Sequence, residues 1–269
     1  MDTHLFLVPV GAKLRKLSPA RQRQLSSRTT PTSPSTLLDA NIQQVRISPY
    51  GQFVYGPVVD GIFTPAQPGQ LLARGQFDHS LRLILAHNLD EGILFTDPQS
   101  QNSSAAASLL DNFFPSASVD IIQYLIATLY PPVYNGSFPY DDPVSRMALI
   151  ISDFAFTCNT KFLSGAFNNT TYNYRFAIPP GIHGTDTPYT FWSGGVSAGV
   201  QNDTIANIMQ DFIVSFAKSG VPTTNTGIPR FEQYGANSTM LNLAPAGITL
   251  MRDDTANLRC EWWQKSLWA

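Results

Sequence analysis

Only 13% of the 269 residues are charged, and 17 Lys and Arg stand against 19 Asp and Glu, for a formal net charge of -2. That scarcity leaves no broad basic field for nucleic acid or anionic lipid, and no nucleic-acid partner is expected. No apolar run approaches the ~20 residues that a membrane-spanning helix needs. The longest, around Met147 to Phe156, is interrupted by Ser152 and Asp153. Cysteine is nearly absent. Cys158 and Cys260 are the only two, which allows one disulfide or two small buried apolar residues. No spacing of His and Cys resembles a metal site, so neither metal nor cofactor is expected. Nor is an export signal expected at the start, MDTHLFLVPVGAKLRKL. Its positive charges follow the short apolar run instead of preceding it, and no small-x-small cleavage site is well placed.

What is present is apolar and aromatic. With 43% hydrophobic residues the chain can bury a sizeable core. Residues 1–40 are the exception. Rich in Ser, Thr, Pro, Gln and Arg with no regular apolar period, they are expected to be a poorly ordered lead-in. Asn-x-Ser/Thr sequons stand at Asn102, Asn135, Asn168, Asn169, Asn202 and Asn237, and together with a possible disulfide they point to an extracellular protein.

Strands are expected over Gly51–Gly61, over Leu81–Asn88 as a run buried on both faces of a parallel sheet, and over Thr171–Ile178, ended by Pro179-Pro180. Helices are expected over Ser104–Phe113 and Val119–Leu129, and as one long helix over Asp142–Phe167 starting at Asp142 and Pro143. Another should start near Asn202 or Asp203 and stop at Gly220, with Ile205, Ile208, Met209, Phe212, Ile213 and Phe216 at helical spacing. The tail is expected to be a short amphipathic helix with Trp262, Trp263 and Trp268 packed on the body. Strands alternating with helices define an α/β chain.

Two loops follow expected sheet strands, HNLDEG after Leu81–Ala86 and PPGIHGTDTPYTF after Thr171–Ile178. Catalytic groups collect at strand ends of open α/β sheets, because the loops converge there. Glu91 and His183 therefore both stand where a site would form. A histidine acting as general base needs an acid on one ring nitrogen, and Glu91 can be that acid. His87 and Asp90 are expected to shape the loop, and His4 and His79 have no partner arrangement. GVSAG, around Ser197, spells the Gly-x-Ser-x-Gly of a nucleophile elbow. It lacks the buried strand before the serine and the helix starting at it, and is expected to be a surface loop.

VYGPVVDG, LILAHNLDEGILF, IHGTDTPYTF, FAKSGVP and LRCEWW, in that order, resemble the type-B carboxylesterase/lipase family, which includes the cholinesterases, and look closest to its secreted fungal members. The resemblance runs from about Ile42 to Trp268. It implies an α/β-hydrolase fold, of which residues 41–269 would be the C-terminal portion, a partial sheet with flanking helices. It implies Glu91 as catalytic acid, His183 as catalytic histidine and a Cys158–Cys260 disulfide. In that family the chain order is Ser, acid, His, so Ser197, after His183, is out of order. No Gly-Glu-Ser-Ala-Gly elbow or oxyanion-hole segment stands before Glu91. The expectation is therefore a truncated, inactive part of a secreted ester hydrolase whose intact parent acts on a small-molecule ester. The alternative is a cholinesterase-like binding or adhesion module without catalysis; retention of both acid and base weighs against it.

Overall fold

The computed structural model describes residues 34–52, 58–102, 104–195 and 199–265. Among them a four-stranded sheet runs in the order β1 (Ile84–Asn88), β2 (Tyr172–Phe176), β3 (Thr239–Ala244), β4 (Gly247–Arg252). β1 and β3 lie parallel to β2, and β4 returns antiparallel to β3. The register sets Asn88 beside Phe176, so the C-terminal ends of β1 and β2 are level.

β1 is shorter than the expected strand, because pairing begins only where Leu83 accepts the Tyr172 N–H; Arg82 is drawn aside to the Ser219 carbonyl. Nor is β1 covered on both faces, since Ala86 is exposed while Leu85, His87 and Asn88 are buried. The β3–β4 hairpin was not expected from the sequence. Its return is made by Gly247 at φ 124°, a conformation that favours glycine. The strand expected over Gly51–Gly61 falls partly on residues 53–57, outside the described residues. Val58–Asp60 form no strand, and Asp60 instead holds a bend by accepting the Ile62 and Thr64 N–H groups. The helix α1 (Pro34–Arg46) crosses the expected boundary at residue 40, with Leu37, Leu38, Ile42 and Val45 exposed; it is followed by the short α2 (Pro68–Ala73).

Helices cover both sheet faces. The expected pair appears as α3 (Ala105–Phe113) and α4 (Val119–Tyr124), the latter continuing as a π-helical turn over Leu125–Leu129. The long helix expected over Asp142–Phe167 is three joined pieces: α5 (Pro143–Ile151), a π-helical segment (Ser152–Thr157) and α6 (Cys158–Ala166). Its start is as expected, with Asp142 and Ser145 capping one another's backbone and Pro143 in the first turn. α6 lies on one sheet face, where Ser164 bonds Asn173 and Thr160 meets His87.

After the single turn α7 (Thr187–Thr190), α8 (Asp203–Ser219) covers the other face. It runs from an Asn202 side-chain cap to left-handed Gly220, as expected. Its Ile205, Ile208, Met209 and Phe212 pack with Phe176, Leu241 and Leu243 in one core cluster. A second cluster gathers α3, α5 and α6 around the C-terminal helix α9 (Leu258–Gln264), which contributes Trp262 and Trp263. Trp268 lies outside the described residues.

α9 is held by the Cys158–Cys260 disulfide, which links residues 102 apart. Beside it Arg259 Nε pairs with Asp153 at 2.7 Å, and Tyr130 donates to the same carboxylate while accepting from Trp263 Nε1. Asp153, Cys158 and Cys260 are close enough together to suggest a metal site, but the two sulfurs are bonded to each other. Among the described residues no helix is long and apolar enough to cross a membrane.

Candidate active site

Parallel pairing carries β1 and β2 to the same end of the sheet, and the two chains stay in step beyond it. Leu89 N–H donates to Phe176, Asp90 N–H donates to Gly181, and Asp90 forms a single parallel bridge with Ile182. This short extension of the ladder fixes the spacing between the HNLDEG and GIHG loops. Ninety-two residues apart in sequence, His183 Nδ1 and Glu91 Oε2 stand 2.5 Å apart.

Past Glu91 the chain tightens into a 3₁₀ turn over Gly92–Phe95. Gly92 N–H donates to Ser152 Oγ, and a Cβ at position 92 would lie 1.9 Å from the Ala148 carbonyl oxygen. Only glycine lets the loop sit this close to α5. The π-helical segment serves the same corner: Ser152 at its start receives Gly92, and Phe156 near its end meets the His183 ring at 4.7 Å. Phe95 meets that ring edge-on at 5.1 Å. The imidazole is thus walled by aromatics, with 18% of its side chain exposed against 6% for Glu91.

The two oxygens of Glu91 are used differently. Oε2 takes His183, while Oε1 accepts the Asn88 N–H at 2.6 Å and the Asn88 amide at 3.2 Å. Burial pushes the Glu91 carboxyl up, but hydrogen bonds from His183 and Asn88 and the attraction of a charged His183 outweigh it. The net direction is below the usual carboxylate range. Asp90, next in the chain, is pushed up by burial. The loop therefore separates two adjacent acids, holding Glu91 ionised at neutral pH.

Other sequence-derived positions fall elsewhere. His87, expected to shape the loop, lies within β1 and is buried beneath α6 with Thr160 Oγ1 3.3 Å from its Nδ1. His79 meets the Gly75 carbonyl and packs on Phe77. Ser197 and His4 lie outside the described residues. Sequence reasoning passed over Asn88, Thr185, Asp186 and Ser152, all of which bond within these loops or to them. Their only trace was a polar end to an apolar strand and an acid three residues after the histidine. Two surface cavities, of about 290 Å³ at the start of β1 and β2 and about 620 Å³ beside β4, are lined by neither Glu91 nor His183.

Comparison with known proteins gives a consistent set of relatives. A model described as "Carboxylesterase family" matches residues 11–263. The carboxylesterase patB of Penicillium expansum is 33% identical over 229 residues, covering 85% of this chain and 41% of that protein. An inactive carboxylesterase-like protein, VdtD of Byssochlamys spectabilis, is 24% identical over 164 residues. Among solved structures, Aspergillus niger EstA superposes with a TM-score of 0.68 at 20% identity, over 81% of this chain and 45% of that one. A PNB esterase gives 0.61 at 19% identity, over 93% and 50%. Both neighbours are α/β-hydrolase esterases and establish that fold. The chain spans less than half the length of the curated relative it matches at 33%.

Proposed function

The chain belongs to the carboxylesterase family, and from that premise we propose that it carries the base and the acid of a serine ester hydrolase, His183 and Glu91. The observation that supports this is the partly buried Glu91–His183 hydrogen bond at the level ends of two parallel strands. Glu91 holds the proton on Nδ1, so that Nε2 is the basic nitrogen. A serine hydroxyl attacking an ester carbonyl passes its proton to Nε2, and the imidazolium then protonates the departing alcohol. Throughout, Glu91 stays ionised and stabilises the charged ring. The substrate is a small carboxylic ester.

The nucleophile and the oxyanion hole belong, in this reading, to sequence outside these 269 residues, and the chain by itself does not turn over. Ser197 follows His183 in the chain, the reverse of the order Ser, acid, His that goes with the fold. A fluorophosphonate probe tests this directly. The chain alone is expected to carry no adduct after mapping by mass spectrometry. A chimaera joined to the part of the Penicillium carboxylesterase that this chain does not match should be labelled, in a His183-dependent manner. An adduct on Ser197 would overturn the assignment. A chimaera that stays unlabelled although folded would favour a binding module without catalysis.

Secretion is part of the same proposal, supported by the disulfide, a feature of oxidising compartments. The sequons divide by position. Asn102, Asn135, Asn168 and Asn237 are exposed, whereas Asn169 and Asn202 are partly buried and the Asn202 side chain caps α8. Deglycosylation in heavy-oxygen water after secretion from a eukaryotic host should mark the exposed four and spare Asn169 and Asn202. Glycan at the two spared positions and none at the other four would contradict this surface.

A further inference from the structure

Asn88 ends β1 and is buried, yet its side chain is polar, and its amide nitrogen and oxygen both bond into the two loops above the sheet. Its amide nitrogen donates to Glu91 Oε1 and to Asp186 Oδ1, each at 3.2 Å. Its amide oxygen lies 3.2 Å from Thr185 Oγ1, whose proton is shared with the Ile182 carbonyl at 2.7 Å. Thr185 and Asp186 are the second and third residues after His183. One side chain therefore touches the acid's own carboxylate and the loop that carries the histidine.

We propose that Asn88 is a positioning residue, which ties the Glu91 carboxylate to the His183 loop by donating to both Glu91 and Asp186. This rests on the dyad reading above. The chemistry selects an amide. Two N–H donors are needed for two carboxylates and one acceptor for a hydroxyl, and asparagine offers that set without a charge. Aspartate of the same shape would replace the donors with a third carboxylate, and like charges at this range force one of them to keep its proton. An aliphatic residue would leave buried acceptors unsatisfied.

The titratable groups around this point come from each packed element. Asp90 lies on the Glu91 loop, and His183 and Asp186 lie on the opposite loop. Tyr174 lies on β2, and its hydroxyl is pushed up by burial and by the charge of Asp186. His87 is turned to Thr160 on α6. Glu91 is the group in direct contact with both Asn88 and His183.

Proton NMR of the full chain tests the proposal without requiring turnover. A strong Nδ1–H···carboxylate hydrogen bond gives a far-downfield resonance, expected in the wild type and absent from Glu91→Gln. Lowering the pH should abolish it once Glu91 is protonated. In Asn88→Asp the pH at which it disappears should rise by about 1 unit or more, and in Asn88→Ala by less. A packing role alone would lower the melting temperature of both variants without moving that midpoint. An unchanged midpoint in both overturns the role of Asn88 while leaving the dyad intact, and absence of the resonance from the wild type overturns the dyad itself. Should Asn88→Asp fail to fold, the upward shift in Asn88→Ala decides alone.

Discussion

Ester hydrolysis by a preparation that contains the nucleophile, such as the chimaera with the Penicillium carboxylesterase segment, is expected to fall about 10⁴-fold in kcat when Glu91 is replaced by glutamine. Glutamine has the shape of glutamate but presents an N–H₂ that can donate to His183 Nδ1. The ring would then place its proton on Nε2, where it blocks acceptance of the serine proton. Glu91→Ala removes the acceptor without enforcing the wrong tautomer, and His183→Ala removes the base; both should be severe. Steady-state kinetics on a short-chain p-nitrophenyl ester, with KM followed separately, checks this. A Glu91→Gln loss below tenfold would show that Glu91 does not orient the base.

The same carboxylate has a signature in acid. Its pKa in the folded protein is lowered by His183 and Asn88, in spite of burial. A depressed carboxylate stabilises the folded state above the pKa of the unfolded chain. That contribution is lost as the pH falls through the lower, folded value. Wild-type stability should therefore decline in the acid range below the usual carboxylate pKa, and Glu91→Gln should flatten that part of the curve.

The second large effect concerns the C-terminal helix. Removing the disulfide by the joint replacement Cys158→Ser and Cys260→Ser should lower the free energy of unfolding by about 4–5 kcal/mol, on the chain-entropy argument for a loop of this size. The pair closes a sequence separation of 102 residues. In calorimetry this corresponds to a fall in Tm of about 10 °C or more. The folded arrangement of α9 should survive, because Arg259–Asp153, Trp263–Tyr130 and the buried indoles of Trp262 and Trp263 hold it independently. The loss would act through the freed unfolded chain. Asp153→Ala differs, since it strips the folded state of the carboxylate that Arg259 and Tyr130 share. An unchanged Tm in the double-serine protein would mean that the cross-link constrains nothing that unfolding releases.

How far the sequence was readable depended on the range of the interaction that sets each feature. α8 was legible from end to end because its signals are local: a capping Asn202, apolar residues at one helical spacing and a glycine that can turn left-handed. The π-helical segment at Ser152–Thr157 was not, because MALIISDFAFT is apolar almost all round and a widened turn leaves no mark on such a pattern. The β3–β4 hairpin went unread for a related reason. Its place in the sheet comes from pairing with β2, sixty-odd residues earlier, as in Tyr174 beside Leu241.

The site divides along the same line. By itself the sequence determined which residues carry acid and base character and that both follow strands, since side-chain chemistry and apolar runs are written position by position. It also carries the expectation that Ser197 is not an elbow serine, from the residues that flank it. Only the tertiary structure decided that Glu91 and His183 meet, because their distance is set by strand register and by the backbone bonds that join Leu89 and Asp90 to Phe176 and Gly181. The tertiary structure likewise decided which way the Glu91 carboxyl shifts: burial and hydrogen bonds oppose each other there, and their balance depends on an asparagine and a histidine brought to the same carboxylate by the fold.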